Sequence, residues 1–295
     1  MTELAFEAAV GEATFTVTTN QDWAAATEAA WITLDPASGA ASTEASTVKD
    51  ATIKNVEVKN SSIVSTAGEA GGAVGKVSNG TLENVKVACN VSGTQQLGVL
   101  VGRFEGGSIS TSHAAGSVTS GGHYGGAFIG VLAKNVGVNI SKCYATGTVN
   151  LPSDVNKSGG AGFIGAVEND GTFVISDCYT TATVTAHRWS SAFLGRMLNN
   201  CKVNITNCYT KANCTFTQPA NCGALVGDVA TSATLTYSGC VAWNVNELTL
   251  FVRPGVETAP EGNYFGVEGT ISEKAKAFNW DTATWDLSKD EPTLK

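Results

Sequence analysis

Cysteine and histidine side chains are the first candidates for chemistry in this chain of 295 residues. Eight cysteines are present, but no Cys-x-x-Cys pair occurs, and the closest ones, Cys208, Cys214 and Cys222, do not follow zinc-site spacing. The histidines, His113, His123 and His187, lie in different parts of the chain and belong to no metalloprotease or nucleophile motif. The sequence therefore predicts neither a metal site nor a cofactor.

Acidic side chains are the other candidates for catalysis. Hydrolysis of a glycosidic bond needs two carboxyl groups about 5–9.5 Å apart. Glu168 and Asp170 are close together on one predicted loop, but no further acid recurs one repeat unit away. We therefore expect no enzyme activity. A polysaccharide-degrading enzyme is the less favoured alternative, and it would depend on Glu168 or Asp170.

An internal repeat determines where these residues lie. A short apolar motif that ends in glycine occurs six times, and its closing glycines are 27, 28, 35, 30 and 32 residues apart. A second motif, such as ISKC at 140–143, follows each copy after about ten residues. The first motif occupies residues 72–75, 99–102, 127–130, 162–165, 192–195 and 224–227. The second occupies residues 82–85, 109–112, 140–143, 175–178, 205–208 and 237–240, with a half-copy at 53–56.

Side chains alternate strictly around the second motif. In one copy Cys143, Ala145 and Val149 fall on one face of a strand, and Tyr144 and Thr146 fall on the other. A unit of about 30 residues with such a strand cannot close its own core, whereas stacked units can. The prediction is an all-β fold: a parallel β-helix or related β-solenoid of about six to seven rungs, right-handed by general preference. Glycines that end the first motif are expected to turn corners with positive φ.

The inward position of the second motif is expected to form a ladder of free thiols. Its members are Cys143, Cys178, Cys208 and Cys240. Adjacent rungs lie about 4.8 Å apart, which is within the Cα range of a disulfide. A Cys208–Cys240 bond therefore stays open, and the cysteines do not determine the redox compartment.

Outward positions next to this ladder are the best candidates for binding. They carry His113, Tyr144, Tyr179 and Tyr209, with Thr146, Thr148, Thr181 and Thr183 beside them. We expect the four rings to stack into an exposed aromatic stripe, and such rings with nearby hydroxyls suit the faces of sugars. The alternatives are that the stacked rings only stabilise the sheet, or that a loop covers them. On another face, Arg196 and Asp228 occupy adjacent rungs and predict a surface ion pair.

Composition excludes several classes of protein. A net charge of −8 and a pI near 4.9 argue against nucleic-acid binding. The longest apolar run, at 127–133, has seven residues, whereas about 20 span a bilayer. With 43% apolar residues and a mean hydropathy of +0.04, the chain can bury a core and is not disordered.

The repeat resembles the GLUG family, whose pattern is roughly Gly-Gly-apolar-apolar-Gly followed by Ile-x-x-Cys-Tyr-Ala-Thr-Gly-x-Val. The run SKCYATGTV at 141–149 nearly matches it, although Val56, Val85 and Ser112 replace the cysteine in the early copies. The resemblance covers roughly residues 49–245. It implies adhesion or glycan contact and defines no catalytic site.

Both ends of the chain suggest caps. The runs FTVTTNQDW at 15–23 and WITLDPASG at 31–39 resemble a BACON domain that lacks its closing strands. The expected organisation is a BACON-like cap at 1–47, a GLUG-type solenoid at 48–247 and a C-terminal cap at 248–295. The run FNWDTATWDL at 278–287 resembles the segment that commonly closes such arrays.

These resemblances imply a surface role, because both families are typical of proteins on or outside gut anaerobes and of their phages. We expect a non-catalytic, adhesin-like protein, secreted or on the cell surface, that contacts glycans through the stripe. The first residues form no recognisable signal peptide. Two readings fit this: a secreted protein whose signal segment is not part of this sequence, or a phage virion protein (fibre, tail or capsid decoration). A rigid spacer is a further alternative. Self-assembly through the solenoid ends or caps stays open.

Overall fold

The computed structural model describes residues 3–6, 23–24, 38–39, 47–133, 137–151, 159–168, 170–243 and 248–295, with side chains from residue 50 onward. Most of residues 1–47, the predicted BACON-like cap, lies outside this part of the chain. No helix among the described residues is long and apolar enough to cross a membrane.

Strands make up most of the described chain. The first fifteen are β1 (Glu3–Phe6), β2 (Trp23–Ala24), β3 (Ser38–Gly39), β4 (Thr47–Lys49), β5 (Thr52–Val64), β6 (Val74–Ser78), β7 (Gly80–Gly93), β8 (Leu97–Gly98), β9 (Val101–Phe104), β10 (Gly107–Ser110), β11 (His113–Ser120), β12 (Gly125–Gly126), β13 (Ile129–Leu132), β14 (Val138–Ser141) and β15 (Tyr144–Asn150). The next thirteen are β16 (Gly160–Ala161), β17 (Ile164–Val167), β18 (Gly171–Ser176), β19 (Tyr179–Thr180), β20 (Thr183–Ala186), β21 (Leu194–Met197), β22 (Cys201–Thr206), β23 (Tyr209–Thr210), β24 (Asn213–Phe216), β25 (Val226–Val229), β26 (Thr234–Ser238), β27 (Val241–Trp243) and β28 (Tyr264–Gly266). A 3₁₀ turn at Pro219–Asn221, helix α1 (Ile271–Ala277), β29 (Trp285–Asp286) and β30 (Thr293–Leu294) complete the chain.

Parallel pairing between successive repeats builds the solenoid. Strands β4, β6, β9, β13, β17, β21 and β25 form one sheet, called here the short-strand sheet. In the largest sheet, β10, β14, β18, β22 and β26 form a first limb that continues from the N-terminal half of β7. Strands β11, β15, β19, β23 and β27 form a second limb that continues from its C-terminal half, and β5 lies along the opposite edge of β7. Short strands β8, β12 and β16 form a third sheet. The predicted all-β parallel solenoid is confirmed, with about six turns.

The corner between the two limbs uses the left-handed backbone conformation. The residue before the Cys position has positive φ in successive turns: Asn84 (53°), Thr111 (50°), Lys142 (54°), Asp177 (51°) and Asn207 (52°). Asn and Asp tolerate this conformation better than most other non-glycine residues. The second motif therefore marks a corner as well as a strand.

Glycines that close the first motif have a different role from the one expected. Gly165 and Gly195 are not among the residues with positive φ, so that prediction is wrong at these positions. A Cβ on Gly165 would lie 2.6 Å from the Gly130 carbonyl oxygen, and one on Gly195 would lie 2.3 Å from the Gly165 oxygen. Glycine is required here because successive turns approach too closely for any side chain.

The core consists of columns of similar apolar side chains stacked along the solenoid axis. Phe128, Phe163 and Phe193 are fully buried, and their ring centroids are separated by 4.6 and 5.0 Å in successive turns. Isoleucines of the first limb align in the same way, as in the register of Ile140 with Ile175. Equal register from turn to turn is the reason why one repeated pattern fills the whole interior.

The two ends of the solenoid are built differently. Strand β1 pairs antiparallel with β5 and so adds a strand to the first turn. At the other end Phe251 is fully buried against the last turn, and its carbonyl oxygen accepts a hydrogen bond of 2.8 Å from the Leu225 amide. Residues 271–294, called here the C-terminal strap, then turn back along the outside of the second limb. Helix α1 of the strap begins with a capping box in which Thr270 and Glu273 each accept a hydrogen bond from the other's backbone amide.

Candidate ligand-binding face

The outward aromatic column of the second limb is present as predicted. His113, Tyr144, Tyr179 and Tyr209 pair in direct register on successive strands. Their ring centroids lie 4.4, 4.8 and 4.7 Å apart, with angles between ring planes of 19°, 1° and 3°. The stacking follows from the parallel register, which places equivalent side chains one strand apart.

The C-terminal strap covers half of this column. Trp285 lies 6.0 Å from the rings of both Tyr179 and Tyr209, and Trp280 lies 6.3 Å from Tyr209. The Tyr209 hydroxyl donates a hydrogen bond of 2.8 Å to the Pro292 carbonyl oxygen. Only 1% of Tyr209 and 9% of Tyr179 is exposed. The expectation of an exposed stripe is therefore wrong at these two positions, and the alternative of a covering segment holds there.

His113 and Tyr144 form the part of the column that remains accessible. Both side chains are half-buried, and the column continues past His113 to the exposed Lys86. Burial lowers the pKa of His113 below its usual value, and the charge of Lys86 acts in the same direction while that of Glu57 opposes it. Burial alone raises the pKa of the Tyr144 phenol. Near pH 7 this surface therefore presents a neutral imidazole stacked on a neutral phenol.

Hydroxyl groups flank the two accessible rings. Thr146 and Thr148 follow Tyr144 on the same strand and face outward, and Thr148 is exposed. Ser117 pairs with Thr148 one strand away, and its hydroxyl donates a hydrogen bond of 2.8 Å to the Asn90 side chain. We call the surface formed by His113, Tyr144, Thr146 and Thr148 the open face.

The candidate catalytic acids are not arranged as a pair. Glu168 is held 2.7 Å from a guanidinium nitrogen of Arg103, and the other side of that guanidinium contacts Glu105 at 2.6 Å. Asp170 lines a shallow cleft of about 360 Å³ together with Thr172, Asn200 and Lys202, among other residues. The described lining of this cleft contains Asp170 as its single carboxylate.

The cysteine ladder consists of buried free thiols, as predicted. All eight cysteines are buried and unpaired, so no Cys208–Cys240 disulfide is present. Cys178 donates a hydrogen bond of 3.1 Å to the Ser176 carbonyl oxygen, and Cys208 makes the equivalent contact to Thr206 at 3.2 Å. Ser112 takes the same position in an earlier turn, where its hydroxyl donates to Ser110 at 2.8 Å. From Ser112 to Cys240 this position therefore carries a small donor that bonds the corner carbonyl, whereas Val56 and Val85 fill it with an apolar side chain in the first turns.

These thiols are expected to be unreactive in the folded protein. Burial raises the pKa of Cys201 to about 11 and that of Cys222 to about 12, and it raises the pKa of Cys178 and Cys240 well above the ordinary value. Because the reagent must reach a thiolate and all eight side chains are buried, iodoacetamide at pH 8 should leave them unmodified, whereas the protein unfolded in guanidinium should react at all eight. Mass spectrometry of the two samples counts the modified thiols. Rapid alkylation of Cys178 or Cys208 in the native protein would contradict the buried ladder.

The described histidines and acids form no metal centre. No group of three or more His, Cys, Asp or Glu side chains suited to a metal ion occurs within the described ranges. His187 is buried, and its Nδ1 atom shares a short hydrogen bond with the Thr217 hydroxyl.

Charged side chains cluster on the short-strand sheet. The predicted Arg196–Asp228 ion pair is confirmed at 3.1 Å, and Arg253 contacts the other oxygen of Asp228 at 2.6 Å. Sequence reasoning missed Arg253 because it lies outside the repeat, and it missed the contact of Arg188 and Arg196 with the Trp189 ring. The run HRW at 187–189 was the available signal.

Comparisons with known proteins indicate a fold and no family. No protein-family model and no curated protein match this chain. Its structure is similar to the crystal structure of a candidate immunoglobulin A1 protease from Bacteroides ovatus, with a TM-score of 0.51 and 18% sequence identity. The similarity covers 84% of this chain and 75% of that one. At this identity the likeness supports the β-solenoid fold alone, and membership of the GLUG or BACON family stays a prediction.

Proposed function

We propose that this chain is a non-catalytic attachment protein that binds glycans through the open face, at a cell surface or outside the cell. The observation that carries the proposal is the stacked pair of His113 and Tyr144, which stays partly accessible while the strap covers the rest of the column. An aromatic pair that the strap leaves partly accessible is a candidate binding site.

The chemistry of the open face matches that of a sugar ring. Pyranose rings have apolar C–H faces that pack on aromatic side chains and polar edges that need hydrogen bonds. The rings of His113 and Tyr144 lie 4.4 Å apart, so together they form an apolar surface wider than either ring alone. Thr146 and Thr148 lie on the same outward side and supply hydroxyl groups.

A non-catalytic role is supported by the state of the candidate reactive groups. Cysteine catalysis needs a thiolate, whereas the eight thiols are buried and burial raises the pKa of several of them, Cys178 and Cys240 among them. Glu168 is engaged by Arg103, and Asp170 is the single carboxylate in the described lining of its cleft. The likeness to the Bacteroides ovatus protein concerns the fold, so we do not extend protease activity to this chain.

The proposal predicts that glycan binding depends on the two accessible rings. A glycan array would identify ligands of the unmodified protein, and calorimetry would then compare variants on the best ligand. His113→Ala and Tyr144→Ala should each weaken binding about tenfold, because each removes half of the stacking surface. Tyr264→Ala is the matched control, because Tyr264 is a half-exposed tyrosine at the far end of the same column.

Two outcomes would contradict the proposal. Absence of any bound glycan would leave a spacer role, in a surface protein or in a virion, as the better account. Equal loss in Tyr264→Ala and Tyr144→Ala would mean that the sheet was destabilised and that no specific contact was lost. Thermal unfolding midpoints distinguish the two explanations: if the variants unfold at the same temperature as the unmodified protein, a loss of binding reflects a lost contact and not a destabilised sheet.

A further inference from the structure

Three of the four arginines of this acidic chain converge beside Arg196 and Asp228 of the short-strand sheet: Arg196 itself, Arg188 from the segment before it and Arg253 from the segment after the last strand. They are Arg188, Arg196 and Arg253, and Trp189 and Asp228 lie among them. We call this group the arginine cluster. A concentration of positive charge is unexpected in a chain whose net charge is −8. The cluster is separate from the open face, which belongs to the second limb of the other sheet.

Trp189 holds two of the guanidinium groups in place. The Cζ atoms of Arg188 and Arg196 each lie 4.1 Å from the centre of the Trp189 ring. Stacking engages the flat face of a guanidinium and leaves the N–H groups at its edge able to donate hydrogen bonds. Trp189 itself has a φ of 51°, a left-handed conformation that is rare for a bulky residue and that often accompanies functional sites. The ring thus orders two long side chains before any ligand arrives.

Asp228 does not satisfy the cluster. Its two oxygens accept hydrogen bonds from Arg196 Nε at 3.1 Å and from Arg253 Nη1 at 2.6 Å. Each guanidinium has five N–H donors, so this single carboxylate leaves most of them without a partner in the described part of the chain. Arg188 Nε is buried and also finds no hydrogen-bond partner among the described residues. Counted over the described residues, three cations and one anion give the cluster a surplus of two positive charges.

We propose that the arginine cluster is an oxyanion-binding site that takes a carboxylate or a sulfate group of a ligand. Both groups present several oxygens to the planar fork of a guanidinium, which is the geometry that arginine recognises best. Asp228 occupies part of the site as an internal carboxylate and orients Arg196 and Arg253. Arg188, which makes no ion pair within the described residues, is the cation most available to the ligand.

Titration with defined anions tests this site. Inorganic sulfate and glucuronate would be added at constant ionic strength, with glucose as the neutral control, and binding would be followed by heteronuclear NMR. Sulfate against glucuronate separates the two oxyanions, and glucuronate against glucose separates the charge from the sugar. We expect the two anions to shift the signals of the arginine cluster and glucose to leave them unchanged.

Substitutions then separate binding from folding. Arg188→Met should weaken anion binding about tenfold, because it removes a charged donor without breaking a described ion pair. Lys202→Met, which removes an exposed cation from the first limb, should not change the affinity. Asp228→Asn should tighten anion binding, because it removes the competing negative charge; a purely structural role of Asp228 predicts no such gain.

The site is refuted if neither anion binds, or if binding persists unchanged in Arg188→Met. Weaker anion binding in Asp228→Asn would also overturn it. Glycan binding at the open face should be the same in Arg188→Met and in the unmodified protein. Failure of either proposal can therefore be recognised independently of the other.

Discussion

Replacing Trp285 by alanine is expected to lower the free energy of unfolding by about 3–5 kcal/mol, the range found when a buried large aromatic side chain is removed. Trp285 is fully buried and is the central contact of the C-terminal strap. Its ring lies 4.6 Å from Trp280 and 6.0 Å from both Tyr179 and Tyr209, and its indole nitrogen donates to Asp177 at 3.1 Å.

Denaturant titration measures this effect, and a second readout identifies its cause. Burial raises the pKa of Tyr209 far above the ordinary value, so its phenol should ionise at lower pH once the strap is loosened. The absorbance of tyrosinate during an alkaline titration would report this change. Trp243→Ala is the control, because Trp243 is only half-buried and lies beside Tyr264. A loss below about 1 kcal/mol in Trp285→Ala would mean that the strap contributes little to stability.

Phe163→Ala is expected to destabilise the protein by about 3–5 kcal/mol as well, for a reason internal to the solenoid. Phe163 is fully buried between Phe128 and Phe193, with ring centroids 4.6 and 5.0 Å away. Its neighbours are fixed by backbone pairing on both sides, so the core cannot collapse into the cavity. The substitution removes two stacking contacts at once.

Conservative and surface variants complete this test. Phe163→Leu should cost less than Phe163→Ala, because leucine fills part of the volume and already occupies the equivalent position 225 two turns further on. Val64→Ala should have little effect, since Val64 is 72% exposed. Equal stability of Phe163→Ala and Val64→Ala would contradict the stacked core.

The fold could be predicted from the sequence because each turn repeats the same two short motifs. Alternation around Tyr144 indicates a strand with an inner and an outer face, and the repeat of about 30 residues requires stacked units. Parallel stacking in equal register then brings Cys143 beside Cys178 and Tyr144 beside Tyr179. These contacts depend only on the spacing between equivalent residues of successive repeats, which can be read from the sequence.

Contacts between distant segments could not be predicted in this way. Tyr209 and Pro292 are 83 residues apart, and Trp285 and Asp177 are 108 residues apart. No local pattern indicates whether the tryptophans of the last segment close the end of the solenoid or lie along its side. The arginine cluster could not be predicted for the same reason, because Arg253, which lies outside the repeat, contacts Asp228.

The sequence by itself thus determined the β-solenoid, the inward ladder of thiols and the outward column of rings, because all three follow from periodicity and register. Only the tertiary structure decided which rings a ligand can reach. The strap buries Tyr179 and Tyr209 because their apolar rings and those of Trp280 and Trp285 exclude water together. His113 and Tyr144, at the uncovered end of the same column, keep the exposure on which the proposed binding depends.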